Sequence, residues 1–203
     1  MAKEEWERAY GQIDHKKLPW YNIQLPKALL EFVKIINKKD LLLITGCGTG
    51  DTVFRLWKKG FKNIIGFDIS NNAIKIAQKD YPQIKFYAYK TQDIAQKLGL
   101  KNANVADLNV LHHQKHGVEV KKYVDQLKKL SKNLCLAYFY EPDIKEIKSG
   151  IKEKEAIYIH DPSQVEKLFE PMKKVKEFRY EMDVAPKMFD KKYIHAVGQI
   201  YGK

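Results

Sequence analysis

The chain has 203 residues, 44% hydrophobic and 31% charged, which suffices for one substantial core and is short for two independent ones. It holds no run of eighteen apolar residues, its opening MAKEEWERAY lacks a signal-peptide pattern, and its two cysteines, Cys47 and Cys135, form neither a C-x-x-C pair nor a cluster with ligand spacing. These features argue against a membrane helix, a disulfide framework and a thiolate metal centre; one soluble, cytoplasmic domain over residues 1–203, with reduced thiols and no metal, is expected. The net charge of +12 is carried almost wholly by lysines in scattered pairs such as Lys58-Lys59 and Lys128-Lys129, with arginine only at 8, 55 and 179. Phosphate and base recognition draws on the arginine fork, so a solvated lysine surface is the favoured reading and a nucleic-acid partner stays open without being favoured.

In chain order, the first forty residues carry an aromatic group, Trp6, Tyr10, Trp20 and Tyr21, and then a helix opened by Pro26 with Leu29, Phe32, Val33 and Ile36 on one face. Leu41–Ile44 has no polar alternation and reads as a parallel strand covered on both faces. Gly46, Gly48 and Gly50 follow, where the backbone turns sharply and a ligand can approach. Val53, Phe54, Leu56 and Trp57 form a helical face closed by Gly60, and Ile64–Phe67 is a second strand ending at Asp68. This is a βαβ unit suited to a nucleoside, because an acid about twenty residues past the loop can accept bonds from ribose hydroxyls. The position where a dinucleotide fingerprint has its third glycine is Asp51. A carboxylate there would repel a pyrophosphate at the helix start, whereas S-adenosylmethionine brings an ammonium and a sulfonium and no phosphate. The plainer alternative is that Asp51 is an ordinary first-turn acid.

Ser70 is predicted to cap a helix through Ile74 and Ala77 that stops before Pro82, and Ile84–Ala88 to form a third strand. Thr91-Gln92-Asp93-Ile94 then leads a helix through Ala95 and Leu98, with Asp93 a candidate N-cap. Val105–Leu111 reads as the fourth strand, Val118–Leu130 as the helix behind it, and Leu134–Tyr140 as the fifth strand. Asp161 before Pro162, with Gln164 three residues on, starts another helix, and residues 175–182 and 193–201 read as a closing pair of strands. The alternation gives an α/β, doubly wound Rossmann-like sheet of seven strands, mostly parallel with a C-terminal antiparallel hairpin and helices on both faces; ligands sit at the carboxyl ends of its strands.

The segments Ile44-Thr45-Gly46-Cys47-Gly48-Thr49-Gly50 and Gly66-Phe67-Asp68-Ile69-Ser70 resemble the first two motifs of class I S-adenosylmethionine-dependent methyltransferases. The resemblance implies that Gly46, Cys47, Gly48, Gly50, Asp68, Ile69, Gln92, Asp93 and Leu111 line the donor site, with Asp93 on the adenine amino group. More loosely, the N-terminal segment resembles that of thiopurine- and tellurite-type small-molecule methyltransferases. That implies residues 1–40 cover a core of residues 41–203, and that Trp20 and Tyr21 help shape an acceptor pocket; anchoring of a terminal helix is the alternative role for the aromatics, and Tyr140 and Glu141, by their place at the fifth strand's end, are the other candidates for that pocket.

Methyl transfer is an in-line displacement governed by alignment and exclusion of water, so no universal catalytic residue is required. His112 and His113, at the expected end of the fourth strand, are the candidate bases for an acceptor that must lose a proton, against the plainer reading of structural loop histidines. The expected function is methyl transfer to a small molecule. An RNA or protein methyltransferase using the lysine surface, and a non-catalytic nucleoside-binding protein of the same fold, are the alternatives.

Overall fold

The computed structural model describes residues 3–12, 14–18, 21, 25–140, 146–148, 156–158, 160–183 and 193–203. Two helices open the chain, α1 (Lys3–Gln12) and α2 (Lys27–Ile35), the latter with Pro26 at its N-cap. The core then alternates β1 (Leu42–Thr45), α3 (Asp51–Lys58), β2 (Ile64–Asp68), α4 (Asn71–Asp80), β3 (Lys85–Ala88), α5 (Thr91–Leu98), β4 (Ala103–Leu108), α6 (Val118–Leu130) and β5 (Ser131–Phe139). A short antiparallel pair, β6 (Glu146–Lys148) with β7 (Ala156–Tyr158), precedes α7 (Pro162–Leu168), β8 (Lys173–Asp183) and β9 (Tyr193–Gly202). No element was expected between Tyr140 and Asp161, so that pair is an addition.

The seven-stranded sheet has the order β3-β2-β1-β4-β5-β9-β8. The first five strands run parallel and β9 pairs antiparallel with both β5 and β8, as the sequence predicts. The order reverses between β1 and β4, which opens a crevice at their carboxyl ends. Apolar side chains of β1 point alternately to two cores. Leu42 and Ile44 belong to the core that holds Phe32 of α2, Leu56 of α3 and Ala77 of α4, while Leu43 belongs to the one that holds Tyr123 and Leu127 of α6. Full burial of a side chain such as Phe32 contributes about 1.5–3 kcal/mol, which is why α2 and α6 hold opposite faces.

The local signals mark the helix starts well. Ser70 Oγ accepts from the Ala73 N–H at 3.2 Å, and Asp161 Oδ1 accepts from the Ser163 and Gln164 N–H groups at 2.9 and 3.0 Å. β5 starts at Ser131, three residues before the expected Leu134, and two further differences bear on the site. Asp93 is the third residue of α5 and not its cap; Lys90 is the N-cap residue and makes no side-chain cap bond. β4 ends at Leu108 instead of Leu111, because Asn109 turns the chain with φ +60° after a last bond to the Ala137 carbonyl. Leu111, His112 and His113 consequently form a 3-10 turn.

Candidate functional site

The loop after β1 is shaped by close backbone approach. Gly46 has φ +68°, and a Cβ on it would lie 2.4 Å from Val110 Cγ2 and 2.6 Å from the Leu108 carbonyl. Gly48 has φ +52°, and a Cβ there would lie 2.9 Å from the Tyr10 hydroxyl. Both positions need the positive dihedral that glycine adopts freely, and at Gly46 the Leu108 backbone leaves no space for a side chain as well. The Cys47 N–H donates to the Phe67 carbonyl at 3.0 Å and ties the loop to β2.

Asp68, at the end of β2, completes the cradle. Its Oδ2 accepts from the Gly48 N–H at 2.9 Å and its Oδ1 from the Ser70 N–H at 3.0 Å. Each oxygen keeps acceptor capacity for a ligand hydroxyl. Burial raises the carboxyl above its usual range although backbone N–H groups of Ser70, Gly48 and Ile69 favour the ion, and the charge of Glu7 adds to the rise. Cys47 is buried, with Sγ 3.6 Å from the Gly48 carbonyl, and burial followed by the Asp68 charge pushes its thiol up.

Asp51 meets internal partners. The Thr49 hydroxyl donates to its Oδ2 at 2.9 Å and the Tyr81 hydroxyl to its Oδ1 at 3.0 Å. It is a first-turn acid joined to the end of α4, so its carboxylate also serves the fold. Ile69 is half-buried beside Asp68, Gln92 is exposed, and Leu111 is fully buried. Asp93 stands half-exposed at the start of α5, 3.9 Å from Lys97 Nζ.

His112 and His113 are brought to the carboxyl end of the sheet on the 3-10 turn. The His112 ring is 1% exposed and stacks on Phe139 at 4.1 Å; its Nδ1 accepts from the Phe139 N–H at 3.3 Å, which puts the ring proton on Nε2. His113 meets the edge of Trp6 at 5.2 Å, and its buried Nδ1 has no hydrogen-bond partner. Burial lowers both, His112 well below the usual histidine range and His113 to about 3. His116 lies 4.4 Å from His160, whose Nε2–H donates to the Gln114 carbonyl at 2.9 Å. Among the described residues no three His, Cys, Asp or Glu side chains gather as metal ligands.

Tyr21 is half-buried with its ring 5.5 Å from His15, next to the small cluster of Tyr10, Leu18 and Ala73. Tyr140 lies under Arg179, whose Cζ is 5.2 Å from the ring. Trp20 and Glu141 fall outside the described residues.

Two features escaped sequence reasoning. Asp107, on β4, is wholly buried; the Thr45 and Tyr123 hydroxyls donate to its Oδ1 at 2.9 Å each, while Oδ2 has no partner. Because the Tyr123 proton is used on Asp107, the Thr91 hydroxyl at 3.5 Å donates in turn to Tyr123, which links β1, β4, α6 and the first residue of α5. An acid inside the apolar run Val105-Ala106-Asp107-Leu108 was the available signal. The second is Glu7 of α1, which sits at the N-terminus of α4 beside Asp68.

A doubly wound sheet with a glycine loop after β1 and a loop-clamping acid at the end of β2 defines a nucleoside-binding protein of Rossmann-like class. The chain belongs to the methyltransferase domain family, whose model matches residues 36–198. No curated protein sequence matches it. Among solved structures it is similar to a SAM-dependent methyltransferase from Anabaena variabilis, with 16% identity, TM-score 0.76 and coverage of 98% of this chain and 94% of that one. It is also similar to the SAM-bound magnesium protoporphyrin IX methyltransferase of Synechocystis, with 17% identity, TM-score 0.69 and coverage of 100% and 98%. A putative RNA methyltransferase from Pyrococcus horikoshii matches at 11% identity, TM-score 0.64 and coverage of 100% and 97%. Among the described residues no helix is long and apolar enough to cross a membrane.

Proposed function

We propose that this chain transfers a methyl group from S-adenosylmethionine to a small-molecule acceptor, with residues 41–203 as the catalytic core and residues 1–40 as its cover. The observation that carries the donor assignment is the Asp68 carboxylate held 2.9 Å from the Gly48 N–H at the mouth of the crevice, an acceptor pair for ribose hydroxyls beside a loop with no room for a Cβ. Gly46, Cys47, Gly48 and Gly50 pass along the donor, Ile69, Gln92 and Leu111 flank it, and Asp93 accepts from the adenine amino group. When bound, the donor supplies a methyl on a cationic sulfonium; the acceptor's lone pair forms the new bond to carbon as the sulfur takes the electrons of the old one.

The chain's part is alignment and the exclusion of water. The family's donor arrives without phosphate, so the half-buried Asp51 is tolerated at the start of α3. A small acceptor is supported by α1, whose Trp6 and Tyr10 lie over the His113 turn and Gly48 respectively. Trp20, Tyr21, Tyr140 and Glu141 are assigned to the acceptor's surroundings. Where the acceptor must lose a proton, His113 is the better placed of the two histidines, since its Nδ1 is unpartnered whereas His112 Nδ1 is occupied by the Phe139 N–H. Burial keeps His113 in the neutral form a base requires while weakening it as a base, so alignment carries most of the acceleration.

Calorimetry with S-adenosylmethionine, S-adenosylhomocysteine and NAD tests the donor assignment, with Asp68→Ala in parallel. The two methionine-derived nucleosides bind and NAD does not, and loss of the charge-assisted ribose bonds in Asp68→Ala weakens binding by about 1.5–3 kcal/mol. Binding of NAD alone, or an unchanged affinity in Asp68→Ala, refutes the assignment.

A further inference from the structure

The first turn of a helix leaves backbone N–H groups without partners, and one residue from outside usually satisfies part of them. At α4 that role is already filled by Ser70, yet a second group arrives from 63 residues away. Glu7 Oε1 accepts from the Asn71 N–H and from Asn71 Nδ2, both at 2.8 Å, and Oε2 accepts from the Asn72 N–H and the Ser70 hydroxyl, both at 2.9 Å. The Asn72 amide also donates to the Glu7 carbonyl at 2.9 Å. Five bonds thus fasten one turn of α1 to the start of α4. Burial opposes the ionised form of Glu7, and the bonds from Asn72, Asn71 and Ser70 outweigh it, so the carboxyl lies below its usual value and the fastening is charged at neutral pH.

Ser70 joins this fastening to the donor seat. Its hydroxyl donates to Glu7 and accepts from the Ala73 N–H, while its own N–H donates to Asp68 Oδ1. Other contacts of α1 reach the other two strand ends: the Tyr10 hydroxyl stands over Gly48 and Trp6 meets His113. One helix therefore spans the carboxyl ends of β2, β1 and β4, and Glu7 fastens it there with five hydrogen bonds.

We propose that Glu7 is a positioning residue for the donor and the latch of α1: through Ser70 it holds Asp68 in its ribose-accepting orientation, and its release from α4 is the step that lets donor and product pass. This rests on the donor seat proposed above. Stopped-flow binding and release of S-adenosylhomocysteine, with amide exchange of residues 3–12 and thermal unfolding, separates a latch from a plain helix cap. Glu7→Ala admits the product at least tenfold faster and releases it faster still, so that its affinity falls because Asp68 is no longer held, and residues 3–12 lose the protection that the product otherwise confers. Glu7→Gln keeps one acceptor oxygen but turns an amide NH2 toward backbone N–H donors, so it falls between parent and Ala and provides the reading if the Ala variant is unstable. A plain cap predicts a lower melting temperature with unchanged rate constants; that outcome in both Glu7 variants overturns the latch. If Asp68→Ala weakens product binding while the Glu7 variants behave as the parent, the latch alone fails. If Asp68→Ala also binds as the parent, the donor seat falls and the latch with it.

Discussion

Replacing Asp107 by Asn changes stability in a pH-dependent way whose sign follows from burial. The side chain is fully enclosed, and burial lifts its carboxyl to about 7 against the lowering effect of the Thr45 and Tyr123 hydroxyls. In the unfolded chain an aspartate titrates near ~3.9, so between about pH 4 and 7 the native state retains a proton that the unfolded state has released. Stability from this group is complete below the unfolded value and is lost as pH rises through the folded one. Three units at about 1.4 kcal/mol each amount to roughly 4 kcal/mol. Asn has the same shape and an oxygen for both hydroxyl donors, does not titrate, and leaves its NH2 where Oδ2 already lacks a partner, an offset of about 1–3 kcal/mol that is independent of pH. The stability of Asp107→Asn relative to the parent should therefore rise by roughly 4 kcal/mol from pH 4 to pH 8. Urea unfolding of both proteins across that range reads the difference and cancels every other titrating group. A difference constant to within about 1 kcal/mol refutes the assignment of a buried ionising acid.

Gly46→Ala meets both a φ of +68° and atoms at 2.4 and 2.6 Å, so it loses about 2–4 kcal/mol of stability in urea unfolding and its donor affinity; parent-like behaviour would mean that the loop relaxes freely. His113→Asn keeps donor affinity by calorimetry and lowers single-turnover methylation of a proton-bearing acceptor by about 10²-fold, while parent-like turnover removes His113 from the chemistry and leaves alignment alone.

The caps Ser70 and Asp161 were legible in the sequence because each acts within three residues of its own position, and the glycine loop with Asp51 and Asp68 was legible because its spacing is itself a pattern, although Asp68 meets Gly48 and Asp51 meets Tyr81 only in the fold. Helical and strand periodicity is local in the same sense, and α6 agrees with its expected span, Val118–Leu130. Where one residue reset the backbone, local reading failed: the apolar run 105–111 continues past the strand, and Asn109 at positive φ ends β4 at Leu108 and converts the His112-His113 pair from a strand end into a turn.

Composition and pattern by themselves determined the class of sheet, the nucleoside loop and the family's first two motifs, since a turn free of Cβ atoms and an apolar run carry their physical reasons in the residues themselves. Tertiary structure alone decided which polar groups meet across the chain. Asp107 reads as any acid until β1, α5 and α6 close around it, and Glu7 reads as one charge in a solvated helix until α4 offers it four donors. Hydrogen bonding and desolvation depend on distance in space and not along the sequence, and the crossover at β1 and β4 that sets those distances is a property of the assembled sheet.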